Sequence, residues 1–252
     1  MSRNFDVLFR LQQDRELFQV APVMKNLSGN GCVENGKGSL PDPDAFAREE
    51  ILRMVQYLFL ATTNGNDHAG AKKVVFCGVD QAKGSSLLCA HVARSLAEQT
   101  QSQVCVVDAN LRAIATSSLF DLLGPVGTPQ SKLDDQATTC QRVTDNLWLA
   151  SRDSLALNGG IPTLDQMRVK IKDLGDEFGF IVINAPPIGL YSDATLLGQV
   201  ANGVVLVLEA HSTRRSAARR AKLALEAANV LVLGTVLNNR KFPIPESLYR
   251  VL

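Results

Sequence analysis

Short apolar runs punctuate the chain at 74–76 (VVF), 104–107 (VCVV), 180–183 (FIVI), 203–208 (GVVLVL) and 232–237 (VLGTVL). Each is close to continuously apolar and rich in β-branched residues, the pattern of a strand buried on both faces of a parallel sheet. Longer stretches between them carry apolar residues every three or four positions, as in Leu87, Leu88, Val92, Ala93, Leu96 and Ala97. Similar helical patterns cover 163–178 and 214–228, the latter opening on Arg214, Arg215, Arg219, Arg220 and Lys222. Residues 147–150 (LWLA) read as a further short strand with Trp148 in the core, and 124–146 as a long irregular segment. Asp193 is placed to cap a helix over 194–201. Strands alternating with helices predict a doubly wound, mostly parallel α/β sheet.

The first 43 residues break this rhythm. Phe5, Leu8, Phe9, Leu17 and Phe18 fall on a roughly helical period, so a helix is expected over 2–20. It either packs on the main domain or serves as a docking segment. Residues 21–43, rich in Gly, Asn, Ser and Pro and without periodicity, read as a flexible linker. The expected organisation is therefore a helical extension with linker over 1–43 and an α/β domain over 44–252. That domain opens with a helix over 43–61, in which Glu50, Arg53 and Gln56, three residues apart, share one face.

Composition narrows the function classes. With 46% hydrophobic and 20% charged residues among 252, the chain can bury a core. A net charge of +1 gives no electrostatic case for general nucleic-acid binding. No apolar run approaches the roughly 20 residues of a membrane-spanning helix, and the start, MSRNFDVLF, lacks a secretory apolar core. Five cysteines form no CxxC pair, and Cys77, Cys89 and Cys105 fall within strand or helix patterns as small core residues. A cytoplasmic location is expected.

The candidate chemistry sits at the first strand–helix junction. The strand ending in 76 is followed by a small-residue loop through Gly84 and then a helix, the context of a phosphate-binding P-loop. Backbone N–H groups and the helix N-terminus would form the anion site. A P-loop requires Gly, Lys, then Ser or Thr; here Gly84 is followed by Ser85 and Ser86, so serine stands at the lysine position. Asp108 closes the next strand, where ligands of open α/β sheets bind, in position for Mg²⁺. Asn184 closes the strand after it, where a P-loop ATPase carries the Walker B aspartate.

Taken together these segments resemble the bacterial tyrosine kinases of capsule and exopolysaccharide synthesis, part of the deviant P-loop ATPases that partition chromosomes and place division sites. Four pieces carry the resemblance: GVDQAKGSS against SAEPGEGKS, VVDANLR against LIDADLR, INAPP against IDTPP, and VLGTVLNNR against VLGVVLNR. The EILRMVQ segment is similar to the family's Glu-x-x-Arg-x-x-Arg oligomerisation element. The departures are Ala82 for glycine, Ser85 for lysine, Asn110 for the second aspartate, Asn184 for the Walker B aspartate, and Gln56 for the last arginine. A C-terminal tyrosine cluster is replaced by Tyr249 alone.

The resemblance implies ATP or ADP with Mg²⁺ as cofactors, bound weakly or lost. Gly84, Ser85, Ser86, Lys83, Arg112, Asn184 and Asn238 are the implied nucleotide-binding positions, Ser86 and Asp108 the metal ligands, and Asp108 a vestigial catalytic group. Glu50, Arg53 and Gln56 are the implied interface. Phosphoryl transfer rests on charge placed around the phosphates, and loss of one such element costs about 10²–10³ in rate. The expected protein is thus a kinase-like subunit with little turnover. It would bind a membrane co-polymerase or chain-length protein, or kinase subunits as a homo- or hetero-oligomer, at the inner membrane face. The alternative is an active autokinase or ATPase in which Lys83 or Arg112 replaces the missing lysine.

Overall fold

The computed structural model describes residues 6–9, 45–60, 71–80, 84–111, 119–124, 140–155 and 163–238. In chain order these form β1 (Asp6–Phe9), α1 (Ala45–Val55), a π-helical turn (Gln56–Leu60), β2 (Lys72–Gly78), α2 (Ser85–Gln99) and β3 (Val104–Asp108). There follow α3 (Leu119–Leu123), β4 (Cys140–Arg142), β5 (Leu147–Ala150), α4 (Arg152–Leu155), α5 (Leu164–Glu177) and β6 (Phe180–Ala185). The described part ends with α6 (Asp193–Val200), β7 (Gly203–Glu209), α7 (Arg215–Ala227) and β8 (Val232–Asn238).

The strands make one eight-stranded sheet in the order β1-β8-β7-β2-β6-β3-β5-β4. Every internal pairing is parallel; β1 on β8 and β4 on β5 are antiparallel. Alternate residues of each strand face opposite layers. Val74, Phe76, Val104, Val106, Val182 and Val205 pack with α1, α2 and α3 on one face. Val75, Cys77, Cys105, Val107, Ile183 and Leu206 pack with α5, α6 and α7 on the other. The predicted doubly wound architecture is therefore present, and β2, β3, β6 and β7 are buried almost throughout.

Several local expectations change. The helix expected over 2–20 is not formed at Asp6–Phe9, which is a strand instead. Three adjacent apolar residues fit either period, and β8 offers a row of backbone groups that a further strand can pair. The remainder of 2–20 and the linker 21–43 lie outside the described residues. β8 alternates buried and half-buried positions instead of being buried on both faces. The irregular segment 124–146 contains β4, which pairs only with β5 at the sheet margin. The helix expected over 43–61 loses α-geometry at Gln56, where the π-helical turn begins. Asp193 is the first residue of α6, not its cap, a place held by Ser192. α5 starts where a capping box forms: Gln166 N–H donates to Thr163 Oγ1 at 3.4 Å, and Thr163 N–H donates to Gln166 Oε1 at 2.8 Å.

Candidate nucleotide site

Parallel strands bring their C-terminal ends to one edge of the sheet, and the site is built there. β3 ends in Asp108 and β6 carries Asn184 beside it as a register partner. β2 ends at Gly78 and feeds the loop to α2, whose N-cap is Gly84. Gly84 has φ +113°, a left-handed conformation that glycine adopts without steric cost. A Cβ at Gly84 would also stand 2.4 Å from Asn238 Nδ2, so the end of β8 closes over the start of α2. Gly84, Ser85, Ser86, Asp108, Asn184 and Asn238 are thus gathered at one end of the sheet. Lys83, Ala82 and Arg112 lie outside the described residues.

The polar centre is compact and buried. Asp108 is 4% exposed and Asn184 1%. One amide group spans the centre: Asn184 Nδ2 donates to Asp108 Oδ1 at 3.2 Å and to Ser86 Oγ at 3.1 Å. Asp108 Oδ1 also accepts the Asn110 N–H at 3.4 Å. The other face of Asn184 is turned to Cys89, whose Sγ is 3.9 Å from Asn184 Oδ1. An ionised carboxylate only accepts hydrogen bonds, which fixes the orientation of the Asn184 amide. On the far side, Arg152 Nε lies 3.3 Å from Asp108 Oδ2. Burial pushes the Asp108 carboxyl above the usual carboxylate range; the Arg152 guanidinium and hydrogen bonds from Asn184, Asn110 and Leu119 oppose that shift.

Arg152 was not among the residues singled out from the sequence. Its signal was available: it stands two residues past the LWLA strand, at the same sheet edge as Asp108. Strand-end position, and not a motif, identifies it.

Mg²⁺ asks for oxygen ligands in near-octahedral array at about 2.0–2.1 Å. The two oxygens expected to ligate it, on Ser86 and Asp108, are instead joined through the Asn184 NH₂ group. The second Asp108 oxygen faces a guanidinium. This donor set does not fit a divalent cation.

The helix face expected to make subunit contacts is only partly exposed. Glu50 is 2% exposed, with its carboxylate 3.0 Å from Arg53 Nη1. Arg53, half exposed, also reaches Glu49 at 3.3 Å. Gln56 is exposed and opens the π-helical turn. Arg53 and Gln56 face outward while Glu50 is turned inward, so the three do not form one exposed face.

The sheet order and the strand-end cluster together define a doubly wound α/β protein with a P-loop NTPase-like fold. The kinase domain of the Escherichia coli tyrosine kinase ETK superposes with a TM-score of 0.62 at 18% identity, covering 80% of each chain. The MinD cell division protein of Aquifex aeolicus superposes with a TM-score of 0.53 at 16% identity, covering 72% of this chain and 73% of that one. In sequence the chain is 28% identical over 182 residues to CapB of Staphylococcus aureus, covering 70% of this chain and 78% of that one. It is also 28% identical over 177 residues to the tyrosine-protein kinase YwqD of Bacillus subtilis, covering 68% of this chain and 73% of that one. No family model matches. In sequence the chain is thus similar to bacterial tyrosine-protein kinases, and it shares the fold of the ETK kinase domain and of MinD. Among the described residues no helix is long and apolar enough to cross a membrane.

Proposed function

We propose that this protein is a kinase-like subunit of a capsule or exopolysaccharide synthesis and export system, in which the P-loop fold is kept and phosphoryl transfer is largely lost. The observation that carries the reading is the Asn184 amide, which ties Asp108 to Ser86 where the relatives' motif pattern calls for a second carboxylate. Ser85 at the lysine position supports it. A neutral hydroxyl supplies no point charge to the phosphates. Two such losses together leave little turnover, although their effects need not add.

Its work is then to bind: to a membrane co-polymerase or chain-length protein, or to active kinase subunits, at the inner face of the membrane. Arg53, Gln56 and the N-terminal segment are the surfaces proposed for that contact. Gln56 hydrogen-bonds but cannot make a bidentate charged pair, so self-association through this element is weak. The test is incubation of the purified protein with radioactive ATP and Mg²⁺, alone and with a tyrosine-rich peptide. No label is expected in either. Robust labelling abolished by Asp108→Ala would overturn the reading in favour of an active kinase whose phosphate grip comes from Lys83 or Arg112.

A further inference from the structure

We propose that the outer face of α7 docks this protein directly onto a bilayer containing anionic lipid. This rests on the reading above only in placing the chain beside a membrane. That reading brings the chain there through a partner; here the chain itself touches the lipid. The chain holds 26 basic and 25 acidic residues. Five of the basic ones, Arg214, Arg215, Arg219, Arg220 and Lys222, fall within nine consecutive positions that contain no acid. The rest of the chain is therefore net acidic. Such an asymmetry orients the molecule, because an anionic surface attracts this face and repels the remainder.

α7 is amphipathic, and its apolar stripe is already occupied. Ala217, Ala221 and Leu225, four residues apart, are buried against the sheet. Arg219, Arg220 and Leu223 stand away from that stripe and are exposed, Leu223 by 53%. The helix therefore cannot turn its apolar stripe into a membrane, as a free interfacial helix does. Contact falls to the arginines, with Leu223 one turn from both as an aliphatic foot. Arg214, Arg219 and Arg220 form no ion pair with any of the described residues. The one acid of α7, Glu226, lies two turns beyond Arg219 and faces Lys222 at 3.6 Å. The neighbouring helix α6 exposes Gln199 and keeps its one acid, Asp193, buried. The arginine charge is thus open to a partner of opposite sign. α7 carries no aromatic ring on which a base could stack. An exposed leucine among arginines suits a lipid interface, where arginine stems lie along apolar surface and their charges meet the headgroups.

The test is flotation of the full chain with vesicles of phosphatidylcholine, alone or mixed equally with phosphatidylglycerol. The wild type should float with the mixed vesicles only. NaCl at about 1 M, where the Debye length is about 3 Å, should release it. Each arginine at an anionic surface strengthens binding about fivefold, so Arg219→Ala with Arg220→Ala should weaken it about 25-fold. Circular dichroism and urea unfolding of that variant should match the wild type, since both side chains are exposed. Leu223→Ser should weaken binding several-fold and keep the salt dependence. Arg168→Ala with Lys172→Ala removes the same charge from the exposed side of α5 and should leave binding near the wild-type value. Any of five results overturns the inference: no binding to mixed vesicles at low salt, equal binding to neutral vesicles, an α5 pair as damaging as the α7 pair, Leu223→Ser binding as the wild type does, or displacement from mixed vesicles by duplex DNA or by an acidic peptide at lower concentration than the lipid. A failure here leaves the partner-bound reading standing, which the labelling assay above decides on its own.

Discussion

Replacing Asn184 by aspartate should destabilise the protein at neutral pH and make it respond to Mg²⁺. The change removes the donor that lies 3.2 Å from Asp108 Oδ1 and puts a second acid there. Two unit charges at that separation repel by about 5 kcal/mol at an effective dielectric constant of about 20. The pair escapes by keeping one proton. Holding a carboxyl of ordinary pKa near ~4 protonated at pH 7 costs about 4 kcal/mol, which bounds the penalty from above. Arg152, 3.3 Å from Asp108, offsets part of it. The sign follows from linkage: the folded pair titrates above the unfolded acids. The penalty is therefore absent below about pH 4, grows as pH rises, and levels off at the raised folded value.

The assay is thermal unfolding of wild type and Asn184→Asp at pH 5 and pH 8. For a chain of this length each kcal/mol moves Tm by about 2–4 °C. The variant's deficit should be clearly larger at pH 8. The wild type drifts the same way, because burial alone raises the Asp108 carboxyl, so the quantity to compare is the difference between the two proteins. MgCl₂ at pH 8 should recover part of the variant's Tm, since Asp108, the new aspartate and Ser86 supply an oxygen set that binds only the folded state. The wild type should not respond. A deficit equal at both pH values, or an equal response of the two proteins to MgCl₂, would refute the reasoning.

Other outcomes follow from the same geometry. Gly84→Ala should lose about 1–3 kcal/mol from its positive φ, plus a steric part from Asn238, with the Cβ 2.4 Å from Nδ2; adding Asn238→Ala should relieve only the steric part in urea denaturation. Cys77, Cys89, Cys105 and Cys140 are all buried, and burial pushes the Cys77 thiol up to about 12; mass spectrometry after iodoacetamide at pH 8 should find these four unmodified in the native protein and modified in denaturant. Thr163→Ala breaks the capping box of α5 and should cost about 1 kcal/mol in the same urea assay.

The sheet was legible because its central strands are continuous apolar blocks, and such blocks are stable only between two helical layers. The margins were less so. The four residues of β1 carry too little pattern to separate a strand from a helix, and only the edge of β8 decides between them. β4 has three residues, two of them polar or charged, and its pairing is invisible without β5. The site's chain positions could be read from strand ends, which placed Asp108 and Asn184 side by side. What the amide of Asn184 does there depends on its distance to Ser86, a residue 98 positions away. Glu50 illustrates the opposite limit: helical spacing put it with Arg53 and Gln56, but spacing says nothing of which neighbour packs above it.

Asn184 and Arg152 together have a physical consequence for the protein without ligand. A site made of two buried carboxylates is held together by its metal; without the cation, like charges a few ångströms apart must share a proton or repel. Asn184 removes one of those charges while keeping the shape of the side chain, and turns a repulsive contact into a hydrogen bond with Asp108. Arg152 then neutralises the carboxylate that is left. The carboxylate at this edge of the sheet is thereby balanced by side chains of the chain itself. On the proposed reading, the same change withdraws the charge that phosphoryl transfer needs on the Mg²⁺ side, while Ser85 withdraws it on the phosphate side. A surface that must stay folded and present a constant shape to a partner, whatever the supply of metal or nucleotide, gains from such an arrangement; a catalyst does not.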